Sequence, residues 1–538
     1  MIKDEGTVTS SSQSTSEMNS PEQTPGASKA PSKAQSMDEE RPSGPMRRDS
    51  LASLSVAREP RGWVEPEEPT WPSGWKPYAC LFGGFLLMFN SWGIVNAYGS
   101  YASYYMQHLL PGRDILLLNL VGATQSSCVL FLSAPVGRFL DAGHIRKLLI
   151  IGTVLLTIAS YVLSTVNGQG DFGQGNYGLI WFTQGLLSGL GMACFFVSSS
   201  QVVATWFKKK KGFAIGVVAS GASIAGLVYP VMLKFLISSD GFNNAQRYVS
   251  TLTTATCILT IFIARPNPEH IVRKPEKWRF GVFIDMHAFQ NQAFNWMTAS
   301  ICFLFFGFYA VFFNLEEWAA REGLGYRDET PSGFNIGLEN EVHHDAIRTF
   351  YLLAIMNGSS TLGRLSSSYL CDLFGALNVH AVVTFVASML CLVLWTLAKT
   401  VPAAIAFVVT FGVFSGAVIG LPPASMAYLL GPNPEAQARL GQWTGMMYSA
   451  AGIFALTGPL IAGHLISAYG NNFLTVQLWS GACLMLSAGC MAIAIIYRHH
   501  DSARGWASQK AQRLNASIDS TASALTRMTT GETEKQDV

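Results

Sequence analysis

"GRFLDAGHIRK", Gly137 to Lys147, is the stretch on which the reading of this 538-residue sequence turns. It sets Arg138, Asp141, His144, Arg146 and Lys147 between two long apolar runs, "ILLLNLVGATQSSCVLFLSAPV" before it and "LLIIGTVLLTIASYVLSTV" after it. Each run is as long as the roughly 18 apolar residues that mark a membrane span. A carboxylate at a membrane-facing helix end is costly unless it is paired. It is stable there if it caps the amides of a neighbouring helix or meets an arginine, and such a contact holds only while that end of a helix bundle is closed. The pattern returns later as "GRLSSSYLCDLFGALNV", with Asp372 and Gly375 standing where Asp141 and Gly143 stand first. Repetition favours a conformational latch, comprising Gly137, Arg138, Asp141, Arg146, Asp372 and Gly375, over a solvated loop.

The rest of the composition agrees with a membrane protein. Hydrophobic residues make up 49% of the chain and charged residues 13%, against an average near 25% charged. Apolar blocks recur from Tyr78 to Tyr497, and they predict twelve helices over 76–100, 115–136, 146–166, 178–206, 212–237, 246–264, 293–315, 347–369, 376–398, 402–430, 437–467 and 474–497. The expected fold is an all-α polytopic membrane protein, with twelve spans in two six-helix bundles. Connections alternate in charge: Arg138, Arg146 and Lys147, then Lys208–Lys211, then Arg265, Arg273, Lys274, Lys277 and Arg279 fall in every second gap. Lysine and arginine collect on the cytoplasmic side, so both termini are expected there. The longest basic connection, 265–292, divides the spans into bundles over 76–264 and 293–497. The polar ends, 1–75 and 498–538, read as disordered cytoplasmic tails.

Two related bundles place a solute site between them near the midplane. Polar residues inside spans are the candidates for its wall: Arg364, Asn90, Asn96, Tyr98, Gln125, Gln184, Asn357, Gln442 and Tyr448. Each one alone is more often an interhelical hydrogen bond than a ligand contact. Arg364 stands out because a guanidinium in a span needs an anion, a carbonyl or water, and its planar fork suits a carboxylate. His464 reads as a packing histidine, and Glu316 with Glu317 as a water-facing helix end. The nine cysteines have no metal-like spacing, and no phosphate-binding loop or nucleophile elbow is present. No cofactor, metal, nucleic acid or catalytic residue is therefore expected. The partners are the lipid bilayer and a small organic solute, with protons as a candidate coupling ion.

The G-x-x-x-D-x-x-G-type loop resembles the signature of the major facilitator superfamily. "WFKKKKGFAIGVVASGASIAG" (Trp206–Gly226), "NGSSTLGRLSSSYLCDLFGALNV" (Asn357–Val379) and "FLDAGHIRKLLIIG" are similar to its monocarboxylate-porter family, fungal branch, over about residues 70–500. The resemblance implies a secondary active transporter working by alternating access, first of a monocarboxylate or related organic anion. The alternatives are an efflux carrier for a fungal secondary metabolite and, from another class, a non-transporting nutrient sensor. The plasma membrane ranks ahead of the vacuolar membrane. Animal lactate carriers of the branch hold a lysine in the first helix and an aspartate one turn before an arginine in the eighth. Here Asn96 and Ser360 take those two places, and only Arg364 remains.

Overall fold

The computed structural model describes residues 71–500 apart from 169, 208–209, 269–273, 277, 279–281, 327–344 and 432–438, together with Asp519. The predicted tails, except residues 71–75 and 498–500 and Asp519, lie outside the described residues, as do Lys208 and Lys209 of the basic run. Ten described helices are long and apolar enough to cross a membrane. One of these, Lys211–Ile263, is two spans joined end to end across Gly241, whose φ of 76° and ψ of 168° break the helix. The helix Thr349–Phe374 is also long enough, but Arg364, Asp372 and a run of serines make it more polar than the others. With that division and that addition the described residues hold twelve spans.

These are α1 (Lys76–Leu109), α2 (Ile115–Asp141), α3 (Ile145–Leu163) and α4 (Tyr177–Ala204), then α5 and α6 on either side of Gly241 in Lys211–Ile263. The second set is α7 (Gln292–Arg321), α8 (Thr349–Phe374), α9 (Ala376–Trp395), α10 (Val401–Gly420), α11 (Leu440–Ala468) and α12 (Leu474–His500). Local chemistry sets several boundaries. Asp114 caps α2 by accepting from the Leu116 amide at 3.0 Å, and Asn291 caps α7 by accepting from Phe294 at 3.1 Å. The predicted continuous tenth helix is interrupted after Gly420 and resumes as Pro422–Leu430, because proline cannot supply the amide that continuation needs. The first span runs nine residues past its predicted end, through a π-helical turn over Tyr105–Leu109.

In lipid there is little hydrophobic force between helices, so close packing and interhelical hydrogen bonds hold the bundle. Helices α1–α6 and α7–α12 meet along three seams, α2 with α11, α5 with α8, and α1 with α7. The odd-numbered helices run one way and the even-numbered ones return, so the molecule has an Asp141 end and a Glu316 end. The single sheet among the described residues sits at the Glu316 end, where Gly325–Tyr326 pairs in parallel with Ile347–Arg348.

Candidate functional site

The two charged loops have matching geometry at the Asp141 end. Gly143 has φ 81° and Gly375 φ 83°, a left-handed turn that glycine adopts without a Cβ penalty. Each turn leaves its aspartate facing the start of a helix from the other bundle. The carboxylate oxygens of Asp141 lie 3.0 and 3.1 Å from where a methyl group on Gly441, the second residue of α11, would sit. Asp372 stands 3.4 Å from the same position on Gly212, the second residue of α5. A helix N-terminus carries unpaired amides and the positive end of the dipole, which suits a carboxylate. Gly137 belongs to the same contact, its Cβ position being 3.4 Å from the Gly441 carbonyl oxygen. Arg138 and Arg146 do not join it as expected: the buried Nε of Arg138 has no hydrogen-bond partner, and Arg146 is exposed. At this end the carboxylates of Asp141 and Asp372, rather than these two arginines, face the opposite bundle.

The connection between α6 and α7 straps one of these contacts. Its Trp278 stacks on Phe139 of α2 with centroids 4.7 Å apart. Its Asp285 accepts from Trp443 Nε1 of α11 at 3.0 Å and pairs with Arg439 at 3.4 Å. The connection therefore grips both partners of the α2–α11 seam.

Between α4 and α5 on one side and α8 to α11 on the other lies a cavity of about 250 Å³, near the Asp141 end. Its wall is mostly apolar, with Phe196, Val197, Ile215, Pro423 and Leu440, and polar groups enter as Ser200, Gln201, Lys211, Asp372, Tyr428, Thr444 and Tyr448. Toward the molecular centre it ends on stacked aromatic rings. Phe196 meets Tyr448 edge-on at 4.9 Å, and Trp92 packs against both Phe305 at 5.8 Å and Tyr309 at 5.4 Å. Sequence reasoning passed over Trp92, Phe196, Phe305 and Tyr309. The signal available was the aromatic density of "FLFFGFYAVFF" in α7, beyond what a lipid-facing surface requires.

Of the nine polar candidates, Tyr448 lines this cavity; the other eight do not. Asn90 donates to Thr256 at 2.9 Å and accepts from Tyr229, clamping α1 to α5 and α6. Tyr98 donates to the Leu118 carbonyl at 2.5 Å, Gln125 to the Gln184 carbonyl at 3.0 Å, and Gln184 accepts from Tyr105 at 2.5 Å. Gln442 donates to Val282 of the strap at 3.1 Å. Asn357 donates to Leu353 within α8, while its buried Oδ1 has no partner. Asn96, Ser360 and Arg364 converge on one stretch of α5. Asn96 donates to the Ala222 carbonyl at 3.4 Å, Ser360 meets Ser223 at 2.5 Å, and Arg364 donates to the Ala219 carbonyl at 2.6 Å. These are interhelical bonds of the kind that hold spans together without hydrophobic force.

Two further expectations are corrected. His464 is exposed, and among the described residues the buried histidine is His380, whose Nδ1 lies 3.1 Å from Ser425 Oγ. Glu316 and Glu317 are buried, not water-facing: Ser100 of α1 donates to Glu316, and Arg321 pairs with Glu317 at 2.6 Å. Among the described residues no group of histidine, cysteine and carboxylate side chains is placed to hold a metal ion.

A Major Facilitator Superfamily profile matches residues 80–439, about two thirds of the chain. The chain belongs to this superfamily. It is a facilitator, a membrane transporter of a small organic solute by alternating access, and not an enzyme. Among solved structures it is similar to the E. coli fucose:proton symporter, with a TM-score of 0.51 and 14% identity over 78% of this chain and 98% of that one. At that identity the likeness speaks for the fold alone. The Aspyridones efflux protein apdF of Emericella nidulans is 28% identical over 81% of each chain. The Fujikurins efflux protein of Gibberella fujikuroi is 25% identical over 79% of this facilitator and 83% of its own length. The MFS-type transporter dbaD of Emericella nidulans is 27% identical over 77% and 85%. Nothing in these matches singles out monocarboxylates.

Proposed function

We propose that this facilitator exports a weakly polar secondary metabolite across the plasma membrane, loading it at the Asp141 end. The observation that carries the reading is the wall of the 250 Å³ cavity, apolar and aromatic where a carboxylate would need a cation. Among the described residues Lys211 is the one cation in that wall, and it starts α5 beside Asp372. The positions through which the lactate-type resemblance implies charge transfer favour the same reading. Asn96 and Ser360 are neutral, and the Arg364 fork is turned onto a carbonyl of α5 rather than into the cavity. Relatives with efflux in their names add support. Arg138, Arg146, Lys147, Lys210 and Lys211 at the Asp141 end favour a cytoplasmic location for that end by the positive-inside rule. Both tails then lie inside, and tags at either end should resist protease added to intact cells.

Disrupting the gene in the native host should raise the intracellular share of at least one apolar metabolite severalfold while leaving its total synthesis unchanged. Unaltered partition of every detected metabolite, together with slowed uptake of a monocarboxylate, would instead restore the organic-anion reading.

A further inference from the structure

A hydroxyl inside a span commonly donates to the carbonyl one turn back, because lipid offers no other acceptor. Thr124 of α2, Thr153 of α3 and Thr384 of α9 make that bond at 2.7, 2.7 and 2.8 Å. Thr444 of α11 does not. Its side chain lines the 250 Å³ cavity, it is 6% exposed, and its buried Oγ1 has no hydrogen-bond partner. Tyr448, one turn further along the same face, lines the cavity too and meets Phe196 of α4 edge-on. Past Phe196, which Trp92 touches at 5.3 Å, the buried indole Nε1 of Trp92 is likewise without a partner.

A solute that fills the cavity and excludes water either pairs with the Thr444 hydroxyl or leaves it bare, and a bare buried hydroxyl loses the worth of the missing bond. An indole N–H only donates, whereas a threonine hydroxyl donates and accepts. The group that both can hold along one path is therefore an acceptor oxygen. A ring carbonyl supplies one without charge and in the plane of its ring, so the oxygen reaches Thr444 while the ring lies against Phe196 and Tyr448. We propose that Thr444 is a specificity-determining residue whose hydroxyl donates to a carbonyl oxygen of the solute, and that the solute class is a neutral aromatic carbonyl compound. The inference rests on the exporter reading, whose cavity it uses, and adds to it the polar group that the solute carries. A site that hydrogen-bonds its substrate rejects the analogue lacking that group, because its own polar atom is then left unpaired.

The test uses the full-length protein in lipid nanodiscs, with Ser200→Cys as the reporter in the cavity wall. Alkylation is read by peptide mass, so that the native Cys371 in the same wall is scored apart. The probes are 1-tetralone, an aromatic ketone, tetralin, its hydrocarbon counterpart, and benzoate. Thr444→Val keeps the shape and removes the hydroxyl. It should raise the concentration of 1-tetralone needed for half-protection about fivefold, the net worth of one hydrogen bond, and leave that of tetralin no higher. Thr444→Ser should keep the parental preference, and Thr444→Ala serves if Thr444→Val does not fold. Equal effects of the substitution on both neutral probes, or on neither, overturn the assignment and leave the exporter reading in place. Protection by neither neutral probe, with or without protection by benzoate, overturns the exporter reading and the role of Thr444 together.

Discussion

Gly445→Leu and Gly463→Leu are expected to slow transport severalfold to about a hundredfold by biasing the same molecule toward opposite conformations. Both glycines lie on the face of α11 that packs against α2, near opposite ends of the seam. A Cβ at Gly445 would come 2.8 Å from the Ala134 Cα and 2.9 Å from the Ser133 carbonyl oxygen. At Gly463 it would come 2.9 Å from the Leu116 Cα. These neighbours are backbone atoms and cannot rotate away. Overpacking of this kind costs about 1–3 kcal/mol, which at 1.4 kcal/mol per factor of ten shifts an equilibrium roughly fivefold to a hundredfold. Because each clash exists only while its end is closed, Gly445→Leu disfavours closure at the Asp141 end and Gly463→Leu disfavours closure at the other. A cysteine at Ser200, in the wall of the large cavity, should label faster in Gly445→Leu and slower in Gly463→Leu. A cysteine at Ser103, at the Glu316 end, should show the reverse. Faster labelling of both sites in both variants would mean general loosening, and the seam would not be a two-state contact.

The double substitution Asp141→Asn with Asp372→Asn is expected to have the next largest effect. Asparagine can still cap an N-terminus, so the change removes charge while keeping a hydrogen-bond acceptor. A charge at a helix end contributes about 0.3–1 kcal/mol when exposed and up to about 2 kcal/mol when partly buried. Asp141 is half-buried and Asp372 exposed, so Asp141→Asn should have the larger single effect. The double variant should label severalfold to tenfold faster at Ser200→Cys and transport more slowly, at unchanged surface abundance. Normal flux and labelling in the double variant would return both loops to simple turns.

The spans and the repeated loop were legible in the sequence because their causes are local. Apolar runs define helices that cross a bilayer, and an aspartate followed by a glycine turn is readable wherever it occurs. The faces of the helices were not legible. In α2 and α8, small polar residues and apolar ones are mixed on every side, so no amphipathic stripe shows whether Gln125 or Asn357 points at a path or at a neighbour. Glu316 read as water-facing because it nears the end of an apolar run, while α7 continues to Arg321 and its end is covered by α1 and α8. The stacked rings of Trp92, Phe196 and Tyr309 were hidden in plain composition: an aromatic that closes a path and one that faces lipid have the same hydropathy. His464 and His380 were exchanged for a similar reason, since burial is decided by what packs on a helix, here the segment Pro422–Leu430 with Ser425 against His380, and not by neighbours in sequence.

On the proposed function, the cavity at the Asp141 end carries a weakly polar solute rather than an organic anion. The most direct measurement is flux into sealed vesicles holding the purified protein, with an imposed pH gradient and a paired set of probes. Lactate and pyruvate supply the carboxylates, and neutral aromatic metabolites drawn from extracts of the native host supply the alternative. Gradient-dependent flux of a neutral metabolite should exceed that of either carboxylate and fall in Gly445→Leu. Carboxylate flux exceeding that of every neutral probe, and lost in the same variant, would contradict it.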